Sequence, residues 1–513
     1  MKLKTLLLSM SVMASAPAFA TIYYVSPSGA GSKDGSSWEN AFGVEEFRAK
    51  AAANVNGDVY NFEGGLYDLS GGTVIFKTAT GATLIGNADG ERTVFSGDKN
   101  GNNNPDAADA NRLIRFQANT VNGDSKNAIT VENIDFTCVY TQADADATNM
   151  GAFAVDNSGD VLVKNCRFYN NWAQGSHGGA AAYLYRSTVK FADCMFYNNS
   201  ANYKGGAIRI FSDKANKGIT TFENCVIKNN KNYHGFGGAI FMGHGNSLNI
   251  VNSTITGNSA VSDGAAIYFT GYDTSHPRQV RIVNSTIAGN VTSAADDAQI
   301  VSTQSAHLNL ANSIITSDDA VAAVKFKGDV ASESFAFVSG GYNFVGNVIG
   351  AVSNELPWQD SDEHGDACTY SAIFGSNTLD RDNVIKPVRF YAGATGAEVA
   401  AAVAEWGLPS GLDFSVDQLG NLRQGEVTPG AYAAKKESLT TGIADVTISR
   451  DRAVLVSLGA GLYAVDGFNG SVSVYNVNGA LVKTAKSDEI DLSSLVNGLY
   501  IIQAADAIFK VIR

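Results

Sequence analysis

Cysteine, asparagine and glycine recur through the middle of this chain at set distances, and such residues can hold metals or phosphates. Cys166, Cys194 and Cys225 each follow an Asn or Asp, and each is followed by an Asn pair and a GGA triplet. Zinc takes Cys and His donors at close spacing. Here the cysteines stand 28 and 31 residues apart, and the six histidines, His177, His234 and His244 among them, show no helical or hairpin metal spacing. No metal site and no cofactor is expected. Polysaccharide chemistry has other needs: elimination uses a Lys or Arg base beside a cation-neutralised uronate, and hydrolysis uses two or three carboxylates facing one groove.

What must position any such groups is one phrase written repeatedly: VKNCRFYNNWAQGSHGGA, FADCMFYNNSANYKGGA, FENCVIKNNKNYHGFGGA, and then weaker copies through Asp318. The marker residues Cys166, Cys194, Cys225, Ser253, Ser285 and Ser313 are spaced 28, 31, 28, 32 and 28 apart. Fixed strands joined by elastic loops at this period define stacked repeat units, each burying its apolar face against its neighbours. Within VLVKNCRFYN the alternation is every second residue and breaks at Asn165, so each unit is short strand, turn, short strand. The expected fold is all-β: a right-handed parallel β-helix of the pectin-lyase kind, followed by a small C-terminal Ig-like β-sandwich.

Stacking turns the recurring letters into ladders. Asn133, Asn165, Asp193, Asn224, Asn252, Asn284 and Asn312 form one, and Asn171, Asn199, Asn230, Asn258 and Asn290 a second. Asn and Asp tolerate the left-handed backbone of a corner, and stacked amides can bond to the next coil. Phe136, Phe168, Phe196, Ile227, Ile255, Ile287 and Ile315 fall between the ladders as an interior column, and the GGA glycines at 178, 205 and 237 allow a tight corner into a third strand.

Counting from that corner places Ala182, Arg209, Phe241 and Tyr268 at one outward position, none of them acidic. Asp193, Asp213, Glu223, Asp263 and Asp273 fall at unrelated places, so no acid pair is aligned and no catalytic residue is assigned. Arg186, Lys190, Lys204 and Arg209 are the basic residues from which an eliminating base would have to come. The face offers aromatic and basic character instead. Phe241 and Tyr268 should lie one coil apart beside Arg209, while Tyr203 and Tyr233 precede their corners next to Lys204 and His234. Rings with polar rims of this kind bind sugars or a protein partner. The candidate ligand-binding residues are therefore Arg209, Phe241, Tyr268, Tyr203, Tyr233 and His234.

Net charge is -13, and losing Lys2 and Lys4 with a leader makes it two units more negative. Nucleic acid and anionic membranes are unsuited as partners. Residues 1–20, MKLKTLLLSMSVMASAPAFA, read as a signal peptide cleaved near Ala20, and no later segment is apolar enough to cross a bilayer. Cys138, Cys166, Cys194, Cys225 and Cys368 are odd in number, and three share one inward position with Ser; they are expected as small buried side chains.

Residues 21–128 supply an N-terminal cap and first coils, with one helix from Val44 to about Val55 closing the open end. The phrases YYVSPSGAG, GSSWENAF and GDVYNFEGGLY resemble the amino-terminal segment of bacterial right-handed parallel β-helix proteins, and the GGA and NN phrases resemble the repeats of chlamydial polymorphic outer membrane proteins. Regular repeats occupy 129–339 and closing coils 340–434. Here DFSVDQLGNLRQGEVTPGAYA is similar to the end of the choice-of-anchor Q domain at Asp417, Gly420, Asn421, Arg423, Gly430, Ala431 and Tyr432, with Ala433 replacing the usual acidic residue. That likeness implies closure of a surface-anchored β-helix; read from the residues, Asp417 and Arg423 are a structural turn pair. After a linker at 435–443, seven alternating runs occupy 444–513. SVSVYNVNGALVK, DLSSLVNGLYIIQ and KVIR resemble the type IX secretion system C-terminal sorting domain of Bacteroidota, which implies passage across the outer membrane by that machinery. Two functions follow as expectations. The first is a secreted or cell-surface, adhesin-like scaffold binding a surface polysaccharide or a host or matrix glycan or protein; the second is a polysaccharide lyase or glycoside hydrolase acting on acidic polysaccharide.

Overall fold

The computed structural model describes residues 20–440 apart from 77–80, 111, 118–127, 143–150, 213–217, 271–277, 294–296, 304–305, 319–320, 328–335 and 351–355. It also describes 454–512 apart from 460–461, 467–470, 477–478, 487–489, 497 and 505–506. Residues 1–19 of the expected leader, and the first run of the C-terminal domain, lie outside the described residues. Two compact units divide near Thr440.

The first unit is a right-handed parallel β-helix. Among the described residues its coils build three long parallel sheets of 11, 11 and 10 strands. One coil shows the plan: Ile129–Glu132 in sheet I, Ile134–Thr137 in sheet II, the two-residue strand Tyr140–Thr141, then Phe153–Asp156 in sheet III. The short strands stack as a six-membered file of their own between sheets II and III.

The register carries the ladders. Asn133, Asn165, Asp193, Asn224, Asn252, Asn284 and Asn312 all have φ between 47° and 61°, turning the chain from sheet I to sheet II. The second ladder differs from expectation. Its left-handed residues are the ones before it, Asn170, Asn198, Asn229, Gly257 and Gly289, while Asn171, Asn199, Asn230, Asn258 and Asn290 point inward and are buried. Asn230 Nδ2 donates to the carbonyl of Phe196 one coil back (3.0 Å) and to Asn258 Oδ1 one coil on (2.9 Å), while its own Oδ1 accepts from the backbone N–H and side-chain amide of Asn199. The file closes on Gln299, whose Oε1 accepts from Asn290 Nδ2 at 2.7 Å. Thus in each NN or GN pair the first residue makes the corner and the second satisfies it.

Inside, Phe136 stacks on Phe168 and Phe168 on Phe196, at 4.8 and 4.7 Å between ring centroids. The described cysteines are free and buried. Cys194 Sγ and Cys225 Sγ lie 3.4 Å from carbonyls of the preceding coil, and Ser253, Ser285 and Ser313 make the same contact lower down through their hydroxyls. A small donor is what the position selects. At the corner into sheet III, a Cβ on Gly205 would meet Ile208 O at 2.1 Å, and φ there is +86°.

Helix α1 (Val44–Ala52) covers the first coil, with Phe47 and Ala51 buried against Tyr60, Phe62 and Phe95. At the other end Leu356 and Trp358 pack on the core, Trp358 lying 4.6 Å from Phe337. Coil strands end at Glu363–His364. Residues 365–434 then run back along the outside as a strap carrying α2 (Tyr370–Phe374) and α3 (Gly396–Ala402). Val399, Val403 and Trp406 pack on Val251, Val283 and Ala311, and Ile373, Phe374 and Ile385 on Ala288, Ile314 and Phe344. The corner amides of Asn252 and Asn284 donate to the carbonyls of Asp413 and Phe414, and Asn312 Oδ1 accepts from the N–H of Ala394. Asp417 accepts from the N–H groups of Leu419, Asn421 and Ala433, and buried Arg423 donates to the carbonyls of Val416, Thr428 and Gly430. Burial lowers the Arg423 guanidinium to about 10, against the opposing pull of Asp417. The pair pins the end of the strap, a structural role.

The second unit has a three-stranded and a four-stranded antiparallel sheet enclosing Val465, Val472, Val474, Ile490, Tyr500 and Ile502. This is a small β-sandwich.

Two predictions follow from the stacking. Asn230→Ala removes both donors and the acceptor, stranding buried groups on two neighbouring coils. It should cost about 3 kcal/mol, read as a shift in urea unfolding; a loss below about 1 kcal/mol would show that the ladder is not a principal stabiliser. Asp297 Oδ1 accepts from the N–H groups of Gly264 and Ala298, and burial pushes the carboxyl above the ordinary aspartate value. The folded state then holds this proton more tightly than the unfolded chain. The stability from Asp297 is therefore fully present below the ordinary value and is lost as pH rises through the raised one. Thermal unfolding of Asp297→Asn across acid to neutral pH should lack that component, so parallel curves for the two proteins would refute the assignment.

Candidate functional site

In sheet III the outward residues alternate with the core, and in-register pairing fixes which share a row. The row reads Arg115, Ala154, Tyr183, Arg209, Phe241, Tyr268, Val301, Lys325. Tyr183, not Ala182, is level with Arg209, and Ala182 faces the core opposite Ile208. The GGA triplets are not equivalent: Gly179 N–H donates to Gly205 O, so the first triplet leads by one residue. A slip of one in a strand exchanges the two faces, and here it had hidden a tyrosine. The next outward row adds Asp156, Tyr185, Phe211 and Gly243.

Arg209 lies at the centre of these rows. Its guanidinium carbon is 5.3 Å from the Tyr183 ring centroid and 5.1 Å from that of Phe211. Tyr185 stacks on Phe211 at 5.8 Å, and Arg186 lies over Tyr185 at 4.7 Å. Arg209 is 4% exposed, and its Nε and Nη1 are buried with no hydrogen-bond partner. Burial lowers its guanidinium below the ordinary arginine range, against the opposing pull of Tyr183. The other cations of that row are paired, Arg115 with Asp156 at 2.5 Å and Lys325 with Asp263, which also holds Lys327. Arg209 has no acid partner among the described residues.

The six expected residues fall into two neighbourhoods. Arg209, Phe241 and Tyr268 are on the sheet face, where Phe241 is 6% exposed and stacked on Tyr268 at 5.6 Å; Phe241 is packing rather than an open platform. Half-buried Tyr268 also meets Phe236 at 4.7 Å. Tyr203, Tyr233 and His234 are in the loops beside the short-strand file. Tyr203 is exposed and 6.0 Å from the His234 ring, while Tyr233 stacks on Trp172 at 5.6 Å with the Lys231 amine 4.3 Å above it. Lys204 links the two groups: burial and the charge of Arg209 lower its amine. Of the basic candidates, Lys190 lies on sheet I, paired with Glu223 at 2.6 Å. Tyr183, Tyr185, Phe211 and Trp172 were missed, although outward aromatics in adjacent coils are a readable signal once the register is right.

Among the described residues no group of three or more His, Cys, Asp or Glu side chains is arranged to hold a metal.

Comparison with known proteins now defines the class. The family described as a right-handed beta helix region matches residues 107–287, and the secretion system C-terminal sorting domain matches 454–513. The chain is a β-helix protein carrying a type IX sorting domain, and so a secreted or cell-surface protein. Similar solved structures include pectate lyase Pel9A (14% identity, 81% of this chain and 90% of that one, TM-score 0.36). They also include PfbA, a surface adhesin of Streptococcus pneumoniae (14%, 59% and 78%, TM-score 0.23), and the catalytic unit of a GH87 alpha-1,3-glucanase from Streptomyces thermodiastaticus (15%, 69% and 71%, TM-score 0.24). No curated protein matches the sequence.

If Arg209 were held for stability, replacing it would be costly. A buried charge without a counter-charge is instead a burden that an apolar side chain of similar length relieves. Arg209→Met should leave the melting temperature unchanged or raise it, with any loss from the cation–π contacts under about 1 kcal/mol. A fall of several degrees in calorimetry would reassign Arg209 to the scaffold.

Proposed function

We propose that this exported β-helix is a surface scaffold that binds an acidic glycan, borne on a cell surface or in a host matrix, through the sheet III face around Arg209. The observation that carries the reading is the unneutralised guanidinium held between Tyr183 and Phe211 in a chain of net charge -13. A cation without a counter-charge attracts a carboxylate or sulfate, and the flanking rings offer apolar faces to sugar C–H groups. Tyr185, Tyr268 and exposed Tyr203 extend that surface over neighbouring coils. The sorting domain supplies export.

The mature protein on an array of uronate-containing, sulfated and neutral glycans and matrix proteins should bind the anionic glycans. Arg209→Met and Phe211→Ala should each weaken binding at least tenfold. Unchanged binding by both variants, or equal binding of neutral glycans, defeats the proposal. A lyase is the second reading, favoured by the downward shift of the Arg209 guanidinium, the direction a base requires. Release of unsaturated uronate from pectin, alginate or glycosaminoglycan, lost in Arg209→Met, would decide for it.

A further inference from the structure

A different part of the coil carries a second site, independent of Arg209. On the outer side of sheet II one row runs Tyr169, Tyr197, Lys228, Thr256, Ala288. The strap passes beside its lower half and leaves two cavities that meet at Lys228 and Asn229. The larger, about 840 Å³, has Thr256, Asn290 and Thr292 on the coil side, Tyr370 and Leu379 on the strap side, and Asp318 in its wall. The smaller, about 410 Å³, is lined by Arg167, Met195 and Tyr197.

Lys228 is the group that needs explaining. Its amine donates to the neutral side-chain oxygen of Asn383 at 2.9 Å and lies 5.9 Å from the Tyr197 ring, with no carboxylate partner among the described residues. Burial lowers its pKa, as an ammonium without a counter-charge requires. Elsewhere on the strap Lys386 does have an acid partner, Asp380 at 2.9 Å. The volume is that of a small-molecule site, and its wall is mixed. An ammonium calls for an anion, the carboxylate of Asp318 can only accept and so calls for hydroxyl donors, and Tyr370 with Leu379 suits the C–H face of a ring.

We infer that this cleft binds the acidic end of an oligosaccharide, with the sugar carboxylate on Lys228, its hydroxyls on Thr256 and Asp318, and a ring against Tyr370 and Leu379. One ligand class meets all three demands, because a uronic acid carries carboxylate, hydroxyls and an apolar ring face together. The strap forms one wall.

The test uses the full mature chain carrying Arg209→Met, which silences the sheet III face. Isothermal titration with a uronic acid trisaccharide should give one saturable site per chain. Lys228→Met should weaken it at least tenfold, and Leu379→Trp, which fills the cavity, should abolish it. The corresponding neutral trisaccharide and an acidic peptide should bind at least tenfold more weakly than the uronate. Melting temperatures establish that each variant is folded, and Lys228→Gln replaces any that is not. Absence of a saturable site in the Arg209→Met protein, equal binding of the neutral sugar or the peptide, or full binding by folded Leu379→Trp each overturns the inference. Loss of binding on the glycan array with a retained titration site would instead remove only the proposal for Arg209.

Discussion

From Asn171 to Asn290 each coil hands its second corner to its neighbours. A buried amide such as Asn199 cannot be satisfied within its own turn alone; it bonds to a carbonyl of the coil before it and to the amide of the coil after it. A buried amide without partners is costly, so the coils from Asn171 to Asn290 are held in register by a constraint that acts at each step. The Phe column, the Cys and Ser ladder and the left-handed corners are consequences of the same registration. Because the constraint is one-dimensional it needs termination: Gln299 ends the amide file, α1 closes the first coil and Trp358 lies over the last.

The strap depends on that registration too, and it explains a drift in the repeat. At the last residue of the sheet I strands the upper coils carry Glu132, Lys164, Ala192 and Glu223, and the lower ones Val251, Val283 and Ala311. In sheet II, Arg167 and Met195 give way to Thr286, Ile314 and Phe344. The outward face turns apolar where Trp406, Val399 and Phe374 arrive to cover it. The weakening of the phrase from NCRFYN to NSTITG is thus a change of surroundings, from water to strap, and not a decay of the fold.

What could be read from the sequence follows the same line. The sheets, the first corner, interior column, closing helix, turn pair and terminal sandwich were legible, because each is fixed by local alternation or by a period that stacking preserves, whereas the second corner lies one residue before the ladder read for it. The fold-back of 365–434 was not, since it repeats nothing and its partners lie up to 190 residues away, as with Asp413 and Glu223. For the candidate site, the outward direction and Arg209 were legible, whereas Tyr183 was lost to one glycine. The burial of Phe241 was hidden for a different reason. A period of two tells which side of a sheet a residue faces, but not what other parts of the chain then lay upon that side.

That distinction bears on where recognition can reside in a stack of near-identical turns. Residues that repeat are committed to neighbours: the Asn amides to amides, the glycines to corners, the Phe rings to rings. Only departures from the repeat are free to face a ligand. Arg209 and Lys228 are two such departures, each a cation beside tyrosine with no carboxylate partner among the described residues, Arg209 buried and Lys228 half-buried against Asn383. Such groups oppose folding, since their solvation is lost without compensation. A registered stack of buried amides can tolerate that opposition, because removing one favourable outward contact leaves the ladder intact. The rigidity of the coil therefore permits a cation to be held partly desolvated at either position, where an anion would supply the missing counter-charge.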